Sequence, residues 1–310
     1  MTHPGTGNPI TVTDYNDIVA TINAFFGTGT GDRGYGGNST NAALTNLVTK
    51  TSGDVIINED WLELRDAQFD VAAHQGTSLP SPLPSITDIE DGDNVLSFDD
   101  QTGPDNPDGE IDAAVNLTLL DANRLIVSPG NVTVASKLTS VRNTAWSSFI
   151  EHEFTVDFGS ADDARFFFNT GGQLRVSATR TGGAATGQNA NWDSILAAGG
   201  TFIFDGVAYF LLTGAFQSVP PLGQITTSAY GAYGTNSWTI SSRRDDAAGP
   251  NGGNGSIIRF KSSFLDGHTN IDFDEVDGTF TSIIEERRST GIFVKASPTF
   301  TTITDLTTGS

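Results

Sequence analysis

Two hydrophobic periods divide the chain. Over residues 13–26, TDYNDIVATINAFF, apolar side chains recur every three to four positions: Tyr15, Ile18 and Val19, Ile22, then Phe25 and Phe26. This is the stripe of an amphipathic helix. Thr13 is placed to cap it, Asp14 and Asp17 lie near the positive end of its dipole, and Gly27 ends it. NEDWLELRDAQFDVA predicts a second helix, capped by Asn58, with Glu59 and Asp60 in its first turn and Trp61, Leu64, Ala67 and Val71 inward. DAAVNLTLLDANRLIV reads as a third, with Leu117, Leu120 and Leu125 among its apolar residues. Between the first two, LTNLVTKTSGDVIIN predicts an extended pair around a Ser52-Gly53-Asp54 turn.

Past a boundary near Ser128-Pro129-Gly130 the period falls to two. In SSFIEHEFTVDF, Ile150, His152, Phe154, Val156 and Phe158 share one face, while Glu151, Glu153, Thr155 and Asp157 take the other. ARFFFNTGGQLRVSATR predicts a hairpin turning at Asn169 to Gly172. Further strands are expected in TFIFDGVAYFLLT, QITTSAY, SWTISSRR, GSIIRFKSSFL, GTFTSIIEERR and IFVKASPTFTTI, with one short helix at NWDSILAAG. The predicted fold is mainly β. An antiparallel β-sandwich or barrel-like domain covers 129–310, after a small helix-rich α+β module over 1–128. That module carries an insert at 79–112, in which SLPSPLPS must run extended and the acidic stretch from Asp88 to Asp112 is loop-like.

Composition sharpens the reading. The chain has 35 Gly and 20 Phe against a single Met, which suits short strands, many turns and an aromatic core. Only 16 Lys and Arg stand against 37 Asp and Glu, for a formal charge of −21, so nucleic acid and anionic membrane are poor partners. With 0 Cys there is no disulfide, thiolate metal site or thiol nucleophile. No run approaches the roughly 18 apolar residues of a membrane span. The opening MTHPGTGNPITV lacks the basic start and apolar core segment of a signal peptide, which predicts synthesis in the cytoplasm unless a route without such a signal exports the chain.

Several motifs could carry chemistry. Gly29, Gly31 and Gly34 form G-x-G-x-x-G, with Asp54 twenty positions on. A dinucleotide loop must leave a strand and open a helix; these glycines follow a helix, so a connector or interface loop is expected. DNPDGEID resembles a calcium loop, but aligning Gly109 with the sixth position puts Pro104 first and Val115 twelfth, where carboxylates are required. An irregular calcium site from Asp105, Asp108, Glu110 and Asp112 is the remaining metal candidate. The four histidines form no H-E-x-x-H or H-x-H pair, and His152 reads as a hydrogen-bonded core or interface residue. Glu151 and Glu153 are a nominal glycosidase pair of a kind that many exposed strands show. No G-x-S-x-G elbow is present. Trp146, Trp192, Trp238, Tyr230 and Tyr233 lie in or beside Gly/Ser/Asn-rich turns, where rings either cap a sandwich or stack on sugars. Trp192, Tyr233 and Trp238 are the glycan-stacking candidates. No catalytic or cofactor-binding residue is assigned.

ITVTDYNDIVATINAFFGTGTGDRGYGG, followed by VIINEDWLELRDAQFDVAAHQG, resembles the opening of structural proteins of tailed bacteriophages. In that pattern a Tyr-Asn helix leads into a G-x-G-x-x-G-Y-G loop, and a later helix begins with a Trp. ANRLIVSPGNVTVASKLTSVRNTAWSSFIEHEFTVDFGSADDARFFFNTGGQLRVSATRTGG and the closing RRSTGIFVKASPTFTTI resemble segments of the same virion proteins. The likeness covers most of the chain except Leu79 to Glu110. It implies a non-enzymatic virion component, of the tail, neck, baseplate or a fibre-like appendage, made in the host cytoplasm. Its expected partners are copies of itself and other virion proteins, with no nucleic acid and no membrane insertion. Arg33, Tyr35, Pro80, Pro82 and Pro84 are then the candidate contact residues. The alternative is a receptor- or glycan-binding appendage.

Overall fold

The computed structural model describes residues 11–26, 34–35, 47–79, 113–218, 224–226, 233–249, 252–268, 275–291, 293 and 297–303. The chain divides into two compact units. The first comprises Met1–Val132 together with Asn169–Gly171 and Ser289–Lys295; the second comprises Thr133–Phe168, Gly172–Arg288 and Ala296–Ser310.

The first unit is built on α1 (Val12–Phe26), α2 (Asn58–Gln75) and α3 (Ala113–Ala122). The stripe read from the sequence is the buried face of α1. Tyr15 meets Trp61 edge-on at 5.5 Å, and Leu64, Val71, Leu117 and Leu120 complete the core. The cap of α1 is Thr11, not Thr13. Asp14 Oδ2 accepts from the Thr11 amide (2.8 Å) and hydroxyl (2.6 Å), and Thr11 Oγ1 accepts from the Asp14 amide (3.3 Å). This is a reciprocal capping box, which a single cap residue cannot make. Asn58 is likewise the first helical residue of α2, and the carboxylate of Asp60 accepts from the amide of Ile57 at 2.9 Å. Gly76, at φ +71°, closes α2 in the left-handed conformation that glycine adopts without strain.

The predicted extended pair around Ser52 does not form a ladder. Its turn exists, with the Asp54 amide donating to the Thr51 carbonyl at 3.0 Å, but residues 47–57 pair with no strand among the described residues. Helix α1 satisfies the backbone instead. Asn23 donates to the Leu47 carbonyl (2.9 Å) and accepts from the Leu47 amide (2.9 Å); Asn16 does the same for Lys50, at 2.8 Å each. The spacing explains the match. Seven helical residues rise about 10.5 Å, and three extended residues span about 9–10 Å.

In the second unit, but for the end residues Val132 and Asn169, the elements run β1 (Val132–Arg142), β2 (Phe149–Asp157), α4 (Ala161–Asn169), β3 (Gln173–Thr181), α5 (Gly187–Gly199), β4 (Thr201–Phe204) and α6 (Gly206–Leu211). They are followed by β5 (Gln217–Ser218), β6 (Gln224–Thr226), β7 (Ser237–Arg244), β8 (Ile257–Leu265), β9 (Thr279–Ser289) and β10 (Thr299–Ile303). Two sheets result, ordered β1-β9-β3-β4 and β10-β2-β8-β7-β5, with β6 also on β7. Every pairing with a determined register is antiparallel. The sheets pack face to face: Phe204 meets Phe260 at 5.1 Å and Phe202 meets Trp238 at 5.0 Å. The architecture is a mainly β, open sandwich and not a closed barrel.

Two helices replace predicted strands. ADDARFFFN is α4, because Ser160 and Asp163 form a second reciprocal cap (3.0 and 2.7 Å) and put Ala164, Phe167 and Phe168 into the core. Gly171, at φ +83°, ends that segment where a hairpin turn was expected. In TFIFDGVAYFLLT, only Thr201–Phe204 is strand. Asp205 then accepts from the amides of Val207 (3.0 Å) and Ala208 (3.2 Å) and starts α6.

Candidate functional site

The polar face of β2 was the one place where the sequence offered a carboxylate pair, and the register shows what those carboxylates do. Glu153 lies opposite Lys261, and Arg259 lies opposite both Thr155 on β2 and Arg243 on β7. Lys261 Nζ sits 2.6 Å from Glu151 and 3.8 Å from Glu153, while Arg259 donates to Glu153 at 2.9 Å. Ser263 donates to the second oxygen of Glu151 at 2.8 Å. Asp245 ties Arg259 to Arg243, and Phe216 lies under the cationic groups of Arg243 (4.9 Å) and Lys261 (4.6 Å). Burial works to lower the Arg259 pKa, but the hydrogen bonds and charges of Asp245 and Glu153 override it and raise the value. Three carboxylates thus face three cations across β2, β8 and β7. The array zips the sheet face, and neither glutamate presents an unengaged carboxylate pair to a substrate.

Behind it lies a second polar group. His152 is fully buried on the inner face of β2, with Nδ1 2.9 Å from Ser282 Oγ on β9. Ser282 donates to Ser262 Oγ on β8 at 3.0 Å, and Trp238 Nε1 donates to the same oxygen at 2.9 Å. The side chains come from both sheets, so the group sets how one sheet registers on the other. A serine beside a histidine is the beginning of a nucleophile–base pair. Here both residues are 0% exposed in the middle of the sandwich core. The arrangement is a buried hydrogen-bonded network of the kind that specifies a unique packing.

Two aspartates clamp the loops at the sandwich ends. Asp277 accepts from the Ala184 amide at 2.9 Å and from the side chain of Asn189, with the Arg180 guanidinium 3.6 Å away, and these groups hold its pKa below the ordinary carboxylate value. Gly183 at φ +82° brings the main chain so close that a Cβ would lie 2.4 Å from Asp277 Oδ1. Asp246 accepts from Ser256 (amide and hydroxyl, 2.8 Å each) and from the Ile257 amide (3.3 Å); burial opposes, but the net shift is downward. Asp266 goes the other way. Burial pushes its pKa up, against hydrogen bonds from the His268 amide and from Gln188 at 2.5 Å.

The remaining sequence candidates fall into three groups. Trp192 and Trp238 are each 0% exposed in the core, and Trp146 packs on Trp192 at 5.3 Å, so none of them is a stacking platform. Of the two readings open for rings beside turns, packing into the sandwich is the one the tryptophans follow. Tyr233 is half-buried, with its ring 4.7 Å from His268. Tyr35, a candidate contact residue, is 1% exposed: it stacks on Phe293 at 4.7 Å, and its hydroxyl accepts from Gln75 at 2.7 Å. It belongs to the first unit's core. Gly34 is described, and its carbonyl accepts from Asn169 at 2.9 Å. Gly29, Gly31, Arg33, Pro80, Pro82, Pro84, Asp105, Asp108, Glu110, Asp112 and Tyr230 lie outside the described residues.

Sequence reasoning missed Asn16 and Asn23, although their seven-residue separation flanking the buried stripe of α1 was a readable signal. It also missed the Asp277 clamp, whose partners lie far from it in sequence. Among the described residues no group of three or more His, Cys, Asp or Glu could hold a metal, and no helix is long and apolar enough to cross a membrane. Compared with protein-family models, with curated proteins and with solved structures, the chain matches none.

Proposed function

We propose that the protein is a structural component of a tailed-phage virion, acting through contacts between its own copies and with neighbouring subunits. The resemblance of the two N-terminal helices, the segment from Ala122 to Gly183 and the closing strands to phage virion proteins motivates the reading. The observation that carries it is the use of the chemistry-bearing side chains. Glu151 and Glu153 are ion-paired along a sheet face, and His152, Trp192 and Trp238 lie within the sandwich. Each such group acts on the fold, as expected of a subunit whose work is to hold shape. The acidic surface keeps free subunits apart until specific contacts form. Mass spectrometry of purified particles tests the reading. The chain is expected in stoichiometric amount, and its absence from particles ends the proposal.

A further inference from the structure

Among the described residues β1 is an edge strand, 11 residues long, with β9 its neighbour on one side. Four successive residues, Thr133 to Ser136, are exposed, and Val134 retains 47% of its accessible surface. Successive residues of a strand point to opposite faces, so neither face is covered here. Native edges are ordinarily blocked by proline, by outward lysine or by a bulge. Val132–Ser136, VTVAS, contains neither proline nor charge. The nearest lysine does not guard it: Lys137 Nζ is held 2.7 Å from the buried carboxylate of Glu286 and 3.3 Å from Ser297 Oγ. Charge narrows the partner. β1 contains Lys137 and Arg142 and no carboxylate, in a chain of net charge −21. Its own side chains therefore set no carboxylate against a second copy, and Glu285 on the neighbouring β9 is engaged by Ser136 Oγ at 3.4 Å.

We propose that the open edge of β1 pairs antiparallel with the same edge of a second copy, Val134 facing Val134 across a two-fold axis. This deepens the reading above and rests on it, since it names the contact through which copies join. A two-fold antiparallel pair places one residue opposite itself. Centring on Lys137 would oppose two ammonium groups, whereas centring on Val134 opposes two β-branched apolar side chains and sets Val132 against Ser136 and Thr133 against Ala135.

The chain has 0 Cys, so a single introduced thiol reports its own neighbour. Directly opposed residues lie about 4.5–5.5 Å apart at Cα, inside the roughly 4.4–6.8 Å window of a disulfide. Under mild oxidation of the full chain, Val134→Cys is expected to give a disulfide-linked dimer, in large excess over Thr133→Cys and over Val207→Cys on an exposed face of α6. Val134→Lys is expected to lower the mass seen by light scattering at equal protein concentration. Equal cross-linking at all three positions, no covalent dimer, or an unchanged oligomer mass in Val134→Lys overturns the β1 contact while leaving the virion assignment standing. Absence from particles with Val134→Cys still cross-linking has the opposite effect.

Discussion

The two units meet the same demand, that a folded backbone leave no buried polar group without a partner, by different means. In the sandwich, main chain satisfies main chain: β2 and β8 are paired over nine positions and β3 and β9 over another nine. In the helical unit, extended chain has no neighbouring strand among the described residues, and side-chain amides take its place. Asn16 and Asn23 hold Lys50 and Leu47, Gln75 donates to the Leu120 carbonyl at 2.8 Å, and Asn169 donates to the Gly34 carbonyl. His74 Nε2 lies 3.2 Å from the Thr170 carbonyl. A ladder spreads its hydrogen bonds over many residues, so no single side chain is decisive. An amide clamp concentrates them in one replaceable side chain. The sandwich should therefore yield to loss of core volume, and the helical unit to loss of single polar groups.

The largest effect is expected from the sandwich core. Trp238 is fully buried, stacks near Phe264 and meets Phe202 at 5.0 Å. Trp238→Ala removes that volume and one of the two donors to Ser262 Oγ, at a cost of about 3–5 kcal/mol. Urea denaturation gives the magnitude, and hydrogen exchange resolved by peptide shows whether the loss falls in β2, β7 and β8. A cost under about 1 kcal/mol would mean that the core is not held as described.

The second effect belongs to the helical unit and depends on pH. Burial beside Tyr35 and Phe293 pushes His74 down from 6.5 to about 4, against the Thr170 carbonyl, whose hydrogen bond favours the protonated ring. A histidine whose folded pKa is depressed binds its proton more readily when unfolded. Its contribution is therefore complete above about 6.5 and is lost as pH falls towards 4, about 3 kcal/mol in all. The clamps of Asp246 and Asp277 have lowered pKa values, so their contribution is lost only at and below the ordinary carboxylate range. Stability should fall in two stages on acidification. In His74→Gln the upper stage should flatten while the lower remains, and a slope unchanged between pH 6.5 and 4 would remove His74 as its cause.

Third come the amide clamps. Asn16→Ala or Asn23→Ala deletes two hydrogen bonds to one extended residue, for about 1–2 kcal/mol each. The local consequence is sharper than the global one. Trypsin should cut after Lys50 much faster in Asn16→Ala than in the parent chain, and a cutting rate that does not change would show that the segment is held by something else.

Legibility from the sequence follows the same division. Period alone exposed the buried stripe of α1 and the inner face of β2, because both are set by local geometry. It failed at α4 and α6, where Phe166–Phe168 and Val207–Leu211 look like strand and the caps Ser160, Asp163 and Asp205 decide for helix. The return of Asn169–Gly171 and Ser289–Lys295 to the first unit has no local signature at all. For the candidate site, His152 could be placed because its neighbours alternate. The tryptophans stayed open between two readings because turn composition says where the chain bends, not which way a ring points.

The smallest effect tests the polar face of the sandwich. Glu151 and Glu153 are mostly covered, yet Lys261 and Arg259 keep about a quarter of their side-chain surface in water. Solvent reaches the pairs, so the Coulomb gain is screened and offset by the ordering of long side chains. The double replacement by Gln keeps size and hydrogen-bonding capacity and leaves Asp245 to hold Arg259. It should cost about 1 kcal/mol or less. The loss should shrink further in high salt. A loss of several kcal/mol that salt does not touch would mean that this array is as decisive for the sandwich as the amide clamps are for the helical unit, and the contrast between the two would fail there.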